Sequence, residues 1–448
     1  MKSQGCGLFV LTSVFALFLA GFAAAPILRA DTMEEHQNRG LALYNKGDFD
    51  GAAQEYRKAI RLAPNDSELH GKLAAALWEK KDYDGCIAAT REAIRLKPDY
   101  AEAHFIQGGA YMEKNDVDGA IAAYREAVRL RPDIADFHAN LAYVLERKGD
   151  WAGALSTARE SLRLNPSVAI RQNQLGRLLE QKGDLAGAAA AYGEAARLEP
   201  ENADYHFKYG SVLGDKGDVD GAVKEFQEVT RLAPNDVAGH RSLGLALQMK
   251  GDKPGAAAAF KEAVQLKPDN AELHFRLGIA TGDTGDLDSA TKEIREALRL
   301  QPQFPEAHLV MGKIFAAKND FKSAVEELRE ADKQSPNNPE ILFELGTNLG
   351  RSNDLDGAEE KLQQVIRLQP NATLAHHDLG IVYYMKQNKQ AALVELRKAS
   401  ELGPQEIRFR TDYETVQKEL SAGSGGGSVP QELERPKERR REPSKPSH

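Results

Sequence analysis

The chain has 448 residues, 42% hydrophobic and 28% charged, with a formal net charge of −8, the composition of a globular protein rich in helix formers. An acidic balance argues against a nucleic-acid binder. Two cysteines, Cys6 and Cys86, fall in different parts of the chain and exclude an internal disulfide framework.

Residues 1–30 differ in kind from the rest. Lys2 precedes the apolar run "LFVLTSVFALFLAGFAAAPIL" (8–28), and Asp31, Glu34 and Glu35 follow it. This pattern reads as an export signal, with cleavage near Ala25 or Ala30 as its expected fate. The run is also long enough to serve as an uncleaved membrane anchor. Thr32-Met33-Glu34-Glu35 matches a helix capping box directly after it.

From there the chain is periodic. Prolines stand at 64, 98, 132, 166, 200, 234, 268, 302, 336, 370 and 404, every interval being 34 residues. Units begin at Met33, Ser67, Ala101, Ala135, Ala169, Ala203, Val237, Ala271, Pro305, Pro339 and Thr373, and the last ends at Glu406. Within a unit, as in "AELHFRLGIATGDTGDLDSATKEIREALRLQP", apolar residues recur at three- and four-residue spacing. That spacing predicts two short helices, A and B, broken at "TGD" and stopped by the proline. Such a pair cannot bury its apolar faces alone, so neighbours must stack into one continuous core.

Residues 33–406 resemble the tetratricopeptide repeat family, eleven tandem copies of it. The family pattern has a large residue at position 4, Leu-Gly at 7 and 8, Tyr at 11, Ala at 20, Phe at 24 and Pro at 32. Here Gly occupies position 8 in nine units, with Ala74 and Ala142 in the other two. Ala occupies position 20 in ten, with Cys86 in the remaining one, which makes Cys86 a packing residue. The resemblance implies an all-α, right-handed α-α superhelix.

Position 4 departs from the family pattern: His36, His70, His104, His138, His206, His240, His274, His308 and His376 occupy it. A metal site needs ligands converging to about 2 Å from one ion, whereas stacked helices lie about 8–10 Å apart. Packing is therefore the expected role of these histidines, and no metal or cofactor is expected. No phosphate loop, nucleophile elbow or zinc spacing occurs, and the chain is not expected to be an enzyme. The recurrent Asp-x-Asp-Gly, as in Asp48-Phe49-Asp50-Gly51, places Gly two positions too early for an EF-hand. It reads as helix capping.

Ile407–Leu420 should form a terminal helix covering the last core face. Residues 421–448 are a Gly/Ser linker and a basic, Pro-rich tail, expected to be disordered. Setting aside Lys2, Arg29 and the tail's six bases and four acids leaves 51 Lys plus Arg against 63 Asp plus Glu, a net of −12. A basic partner suits that body, and the tail or the N-terminal segment offers membrane contact.

The resemblance implies that partner segments lie along A-helix positions 2, 5, 6, 9, 12 and 13. At positions 5 and 9 the candidates are Phe105, Tyr143, Phe207, Arg241, Phe275, Leu309 and Phe343, mostly aromatic anchors with one Arg and one Leu, a composition close to that of binding hot spots. The alternative for each aromatic is packing against its neighbour. No unit has Lys at position 5, so the carboxylate clamp of chaperone-binding relatives is not expected. The expected function is an exported scaffold or adaptor of an envelope complex, with Phe207, Arg241 and Phe275 central to capture. A second reading is an accessory subunit presenting substrate to a glycosyltransferase or polysaccharide exporter.

Overall fold

The computed structural model describes residues 32–421, so the segments read as an export signal (1–30) and as a basic tail (422–448) lie outside the described residues. The described residues divide into two compact units, which meet between Ala233 and Pro234. Among the described residues there are 23 helices, α1 (Met33–Asn45) to α23 (Ile407–Ser421), and no strand. No helix among them is long and apolar enough to cross a membrane. Odd-numbered helices from α1 to α21 are A helices and even-numbered ones B helices. Each A–B pair is joined by a turn of two or three residues, and within each unit successive pairs stack.

The punctuation has local causes. Position 15 of every repeat adopts positive φ: six glycines from Gly47 to Gly285, then Asn115, Asn319, Asn353, Lys81 and Gln387. This left-handed residue turns the chain between helices, and only Gly enters that region freely. The next residue caps helix B. Asp82, for example, accepts the Gly85 N–H at 2.9 Å, as do its equivalents from Asp48 to Asn388. The Asp-x-Asp-Gly motif is thus an N-cap. Helix B ends because the residue before proline leaves the helical region, as at Lys97, extended at φ −136° and ψ 90°. Since Lys81 holds φ 64°, Lys81→Gly should raise stability by about 1 kcal/mol. An unchanged or lowered melting temperature would show that this turn carries no strain.

The core is built on small residues. Position 20 is nearly inaccessible throughout, from Ala52 through Cys86 to Ala392. Burial pushes the Cys86 thiol up to about 12, as expected of a packed thiol. Gly at position 8 makes room for the large residue at position 24 of the same repeat. A Cβ at Gly108 would lie 2.7 Å from the Tyr124 ring, and one at Gly244 2.7 Å from Phe260. The two repeats with Ala at position 8, Ala74 and Ala142, carry small residues at position 24, Thr90 and Ala158.

The ends are closed differently. Thr32 and Glu35 form the capping box on α1, whose outward residues Glu34, Asn38 and Ala42 are exposed and mostly polar. At the other end α23 packs on α22 (Lys389–Leu402), burying Phe409 and Val416.

Candidate functional site

The recurrent histidines form a clasp in the repeats that carry them. His274 Nδ1 lies 2.7 Å from Glu293 Oε2, and its Nε2 lies 3.0 Å from the carbonyl of Pro268. His206 and His376 hold the same two partners, Glu225 with Pro200 and Glu395 with Pro370. His70, His104, His138 and His240 reach the proline carbonyl, at 2.9–3.1 Å. The ring thus ties the A helix to the proline turn before it and, where position 23 is Glu, to its own B helix. His308 is held above the ordinary histidine pKa: burial works to lower it, and the hydrogen bond and charge of Glu327 overcome that. Imidazoles engaged in this way tie the elements of the repeat together by hydrogen bonds.

The A-helix face is where side chains remain available. Two of the candidates are absorbed by the core. Phe105 on α5 (Ala101–Glu113) is 2% exposed, its ring stacked on Phe137 with centroids 4.7 Å apart. Leu309 on α17 (Pro305–Ala317) is 7% exposed, in a cluster with Leu342 and Leu345. Neither offers surface to a partner, because a large apolar residue of the following repeat covers each one.

The other five keep part of their surface. In the first unit, Tyr143 on α7 (Ala135–Lys148) is half-buried, and so is Phe207 on α11 (Ala203–Asp215), edge-on to Phe226 at 5.6 Å. In the second unit, Phe275 on α15 (Ala271–Asp283) leans on Phe304 at 4.7 Å and stays half-buried. Phe343 on α19 (Pro339–Arg351) packs in the same partial way. Arg241 on α13 (Val237–Lys250) is exposed and makes no ion pair or hydrogen bond among the described residues.

Neighbouring charges on this face are already matched. Arg276 pairs with Glu272 at 2.5 Å, and Lys313 with Glu340. Thr347, also in the second unit, donates to Asp378 at 2.9 Å; separately, in the first unit, Arg177 pairs with Glu146 at 2.8 Å. Arg241 therefore stands out as an unmatched cation beside apolar surface. Met249, 64% exposed, extends that surface and was missed in the sequence reading. Its signal was the four-residue spacing Arg241, Leu245, Met249, which places all three on one stripe of α13.

Paired helices of 13 or 14 residues, a proline every 34, and small residues at positions 8 and 20 define a repeat scaffold. The chain belongs to the tetratricopeptide repeat family. A tetratricopeptide repeat model matches residues 173–237, 210–271, 275–339 and 343–407. A second matches 67–100, and a TPR repeat model matches 40–81 and 108–149. Proteins of this family are typically interaction scaffolds without catalytic function. No curated protein matches the chain.

Solved structures are similar at low identity. The chain is similar to YrrB, described as a TPR protein with an unusual peptide-binding site, at 21% identity over 43% of this chain and 100% of that one, TM-score 0.39. It is similar to MamA from Desulfovibrio magneticus RS-1 at 22% identity over 38% and 96%, TM-score 0.36. Against the Cut9–Hcn1 hetero-tetramer of the APC/C the figures are 14%, 86% and 96%, with TM-score 0.44.

Proposed function

We propose that this protein is an exported binding scaffold that holds a protein segment against its A helices and thereby supports assembly of an envelope complex. It acts by binding, without chemistry of its own. The observation that carries this is the state of the second unit's A-helix face. Phe275 and Phe343 keep surface that the core does not cover, and Arg241 has no acid to pair with, beside Leu245 and Met249 on α13. Apolar surface around an unmatched guanidinium suits a segment carrying a carboxylate among apolar side chains. In the first unit Tyr143 and Phe207 offer a smaller set of the same kind. Export rests on the apolar run 8–28 behind Lys2.

In-cell crosslinking followed by affinity capture tests the reading, comparing the intact protein with Arg241→Glu/Phe275→Ala. The partner should be lost from the variant, about tenfold or more in recovery, with the helical circular dichroism unchanged. Recovery of the same partners in equal amounts would place function elsewhere.

A further inference from the structure

The terminal helix α23 is held by an unusual arrangement of charge. His377 sits at position 5 of the last A helix, α21 (Thr373–Met385), with its ring buried. Its Nδ1 lies 3.1 Å from Asp378 Oδ1, and its Nε2 lies 2.8 Å from Asp412 Oδ2 on α23. Both ring nitrogens therefore face carboxylate oxygens, which only accept. A neutral imidazole carries one N–H and satisfies one of them; the imidazolium satisfies both. The Phe409 ring packs against the same imidazole at 4.9 Å.

The other charged and titratable groups around this contact have partners of their own. On α21, His376 is bound to Glu395 of α22 and to the Pro370 carbonyl. Tyr384 and Lys389 both reach Glu419. On α23, Arg408 lies over the Phe409 ring, Arg410 approaches Glu414, and Glu419 takes the two contacts just named. From α19, Thr347 donates to the second oxygen of Asp378, and Arg351 lies over Phe321.

We propose that His377 is a proton-operated latch: its imidazolium joins Asp378 of the last repeat to Asp412 of α23, and loss of the proton loosens the terminal helix. The electrostatics agree with the geometry. Burial works to lower the His377 pKa, and the hydrogen bonds to Asp378 and Asp412 overcome it, leaving it above the ordinary histidine value of 6.5. A raised folded-state pKa means that the proton's contribution to docking is complete below 6.5 and is lost as pH rises through the folded value. Release of α23 bares the apolar surface beneath Phe409 and Val416 and shortens the row of A-type helices by one. In an exported protein, ambient pH would then set how much of that end is open to a partner.

Amide hydrogen exchange of residues 407–421 in the full chain, corrected for intrinsic rate, tests this at about pH 5.5 and about pH 8.5. Wild-type protection of α23 relative to α22 should fall about tenfold at the higher pH, the loss of roughly one charge-assisted hydrogen bond. His377→Gln should be weakly protected at both pH values. Asp412→Asn, whose side-chain NH2 can donate to the unprotonated Nε2 while Nδ1–H stays with Asp378, should keep α23 docked with little pH dependence. Equal wild-type protection at both pH values, or the wild-type pH response in either variant, would overturn the latch.

Discussion

Asp136→Ala is expected to destabilise the first unit by about 3–5 kcal/mol, a large effect for a single side chain. Arg171, on α9 (Ala169–Gln181), occupies position 3, where other repeats bury Leu69, Phe137, Tyr205, Leu273 or Ile341. It is 8% exposed, and Asp136 from the preceding A helix is its ion-pair partner. One guanidinium nitrogen, Nη1, is buried without a hydrogen bond. Removing Asp136 would leave a buried cation uncompensated. The pair is nevertheless a poor stabiliser as a unit. Burial holds the Asp136 carboxyl above the usual carboxylate range in spite of the adjacent guanidinium, so desolvation outweighs attraction. Arg171→Leu combined with Asp136→Ala should therefore recover wild-type stability or exceed it. Urea unfolding of the wild type and the two variants checks this. A single variant as stable as wild type, or a double variant no better than the single, would contradict it.

The second large effect concerns the fit between positions 8 and 24. Gly244→Ala places a Cβ 2.7 Å from the buried Phe260 ring. Overpacking of this kind costs about 1–3 kcal/mol. In a Phe260→Thr background the same Gly→Ala change should become neutral or favourable, because Ala is the better helix former by about 1 kcal/mol. The chain already contains that solution in Ala74 with Thr90 and Ala142 with Ala158. A double-mutant cycle from thermal melts should thus give a coupling energy of about 2 kcal/mol. Additive effects would mean that the two helices move apart at no cost.

The repeat was legible because its punctuation is chemical. Proline stops one helix, a left-handed residue turns the chain, and Asp caps the next helix, all at fixed offsets. The role of the histidines was legible as packing, but their partners were not. The Pro268 carbonyl and Glu293 lie 6 and 19 residues from His274, and only the closed helix pair brings them to one ring. The binding candidates were the least readable. Phe105 and Phe275 share position 5, yet Phe105 is buried between Phe137 and Tyr124, while Phe275 is covered on one side by Phe304. Exposure at that position depends on residues of the next repeat and of the B helix, which a single-position reading does not combine. Arg171 was passed over because a buried arginine at a core position looks, in sequence, like any surface charge.

The most direct test of the central claim is site-specific photocrosslinking in cells. A photoreactive side chain at Leu245, on the A-helix face, is compared with one at Gln265, exposed on the B helix α14 (Lys253–Leu266). A partner crosslinked from 245 and absent from 265 is the predicted result. Crosslinking of that partner from 265 and not from 245 would contradict the assignment of binding to the A helices.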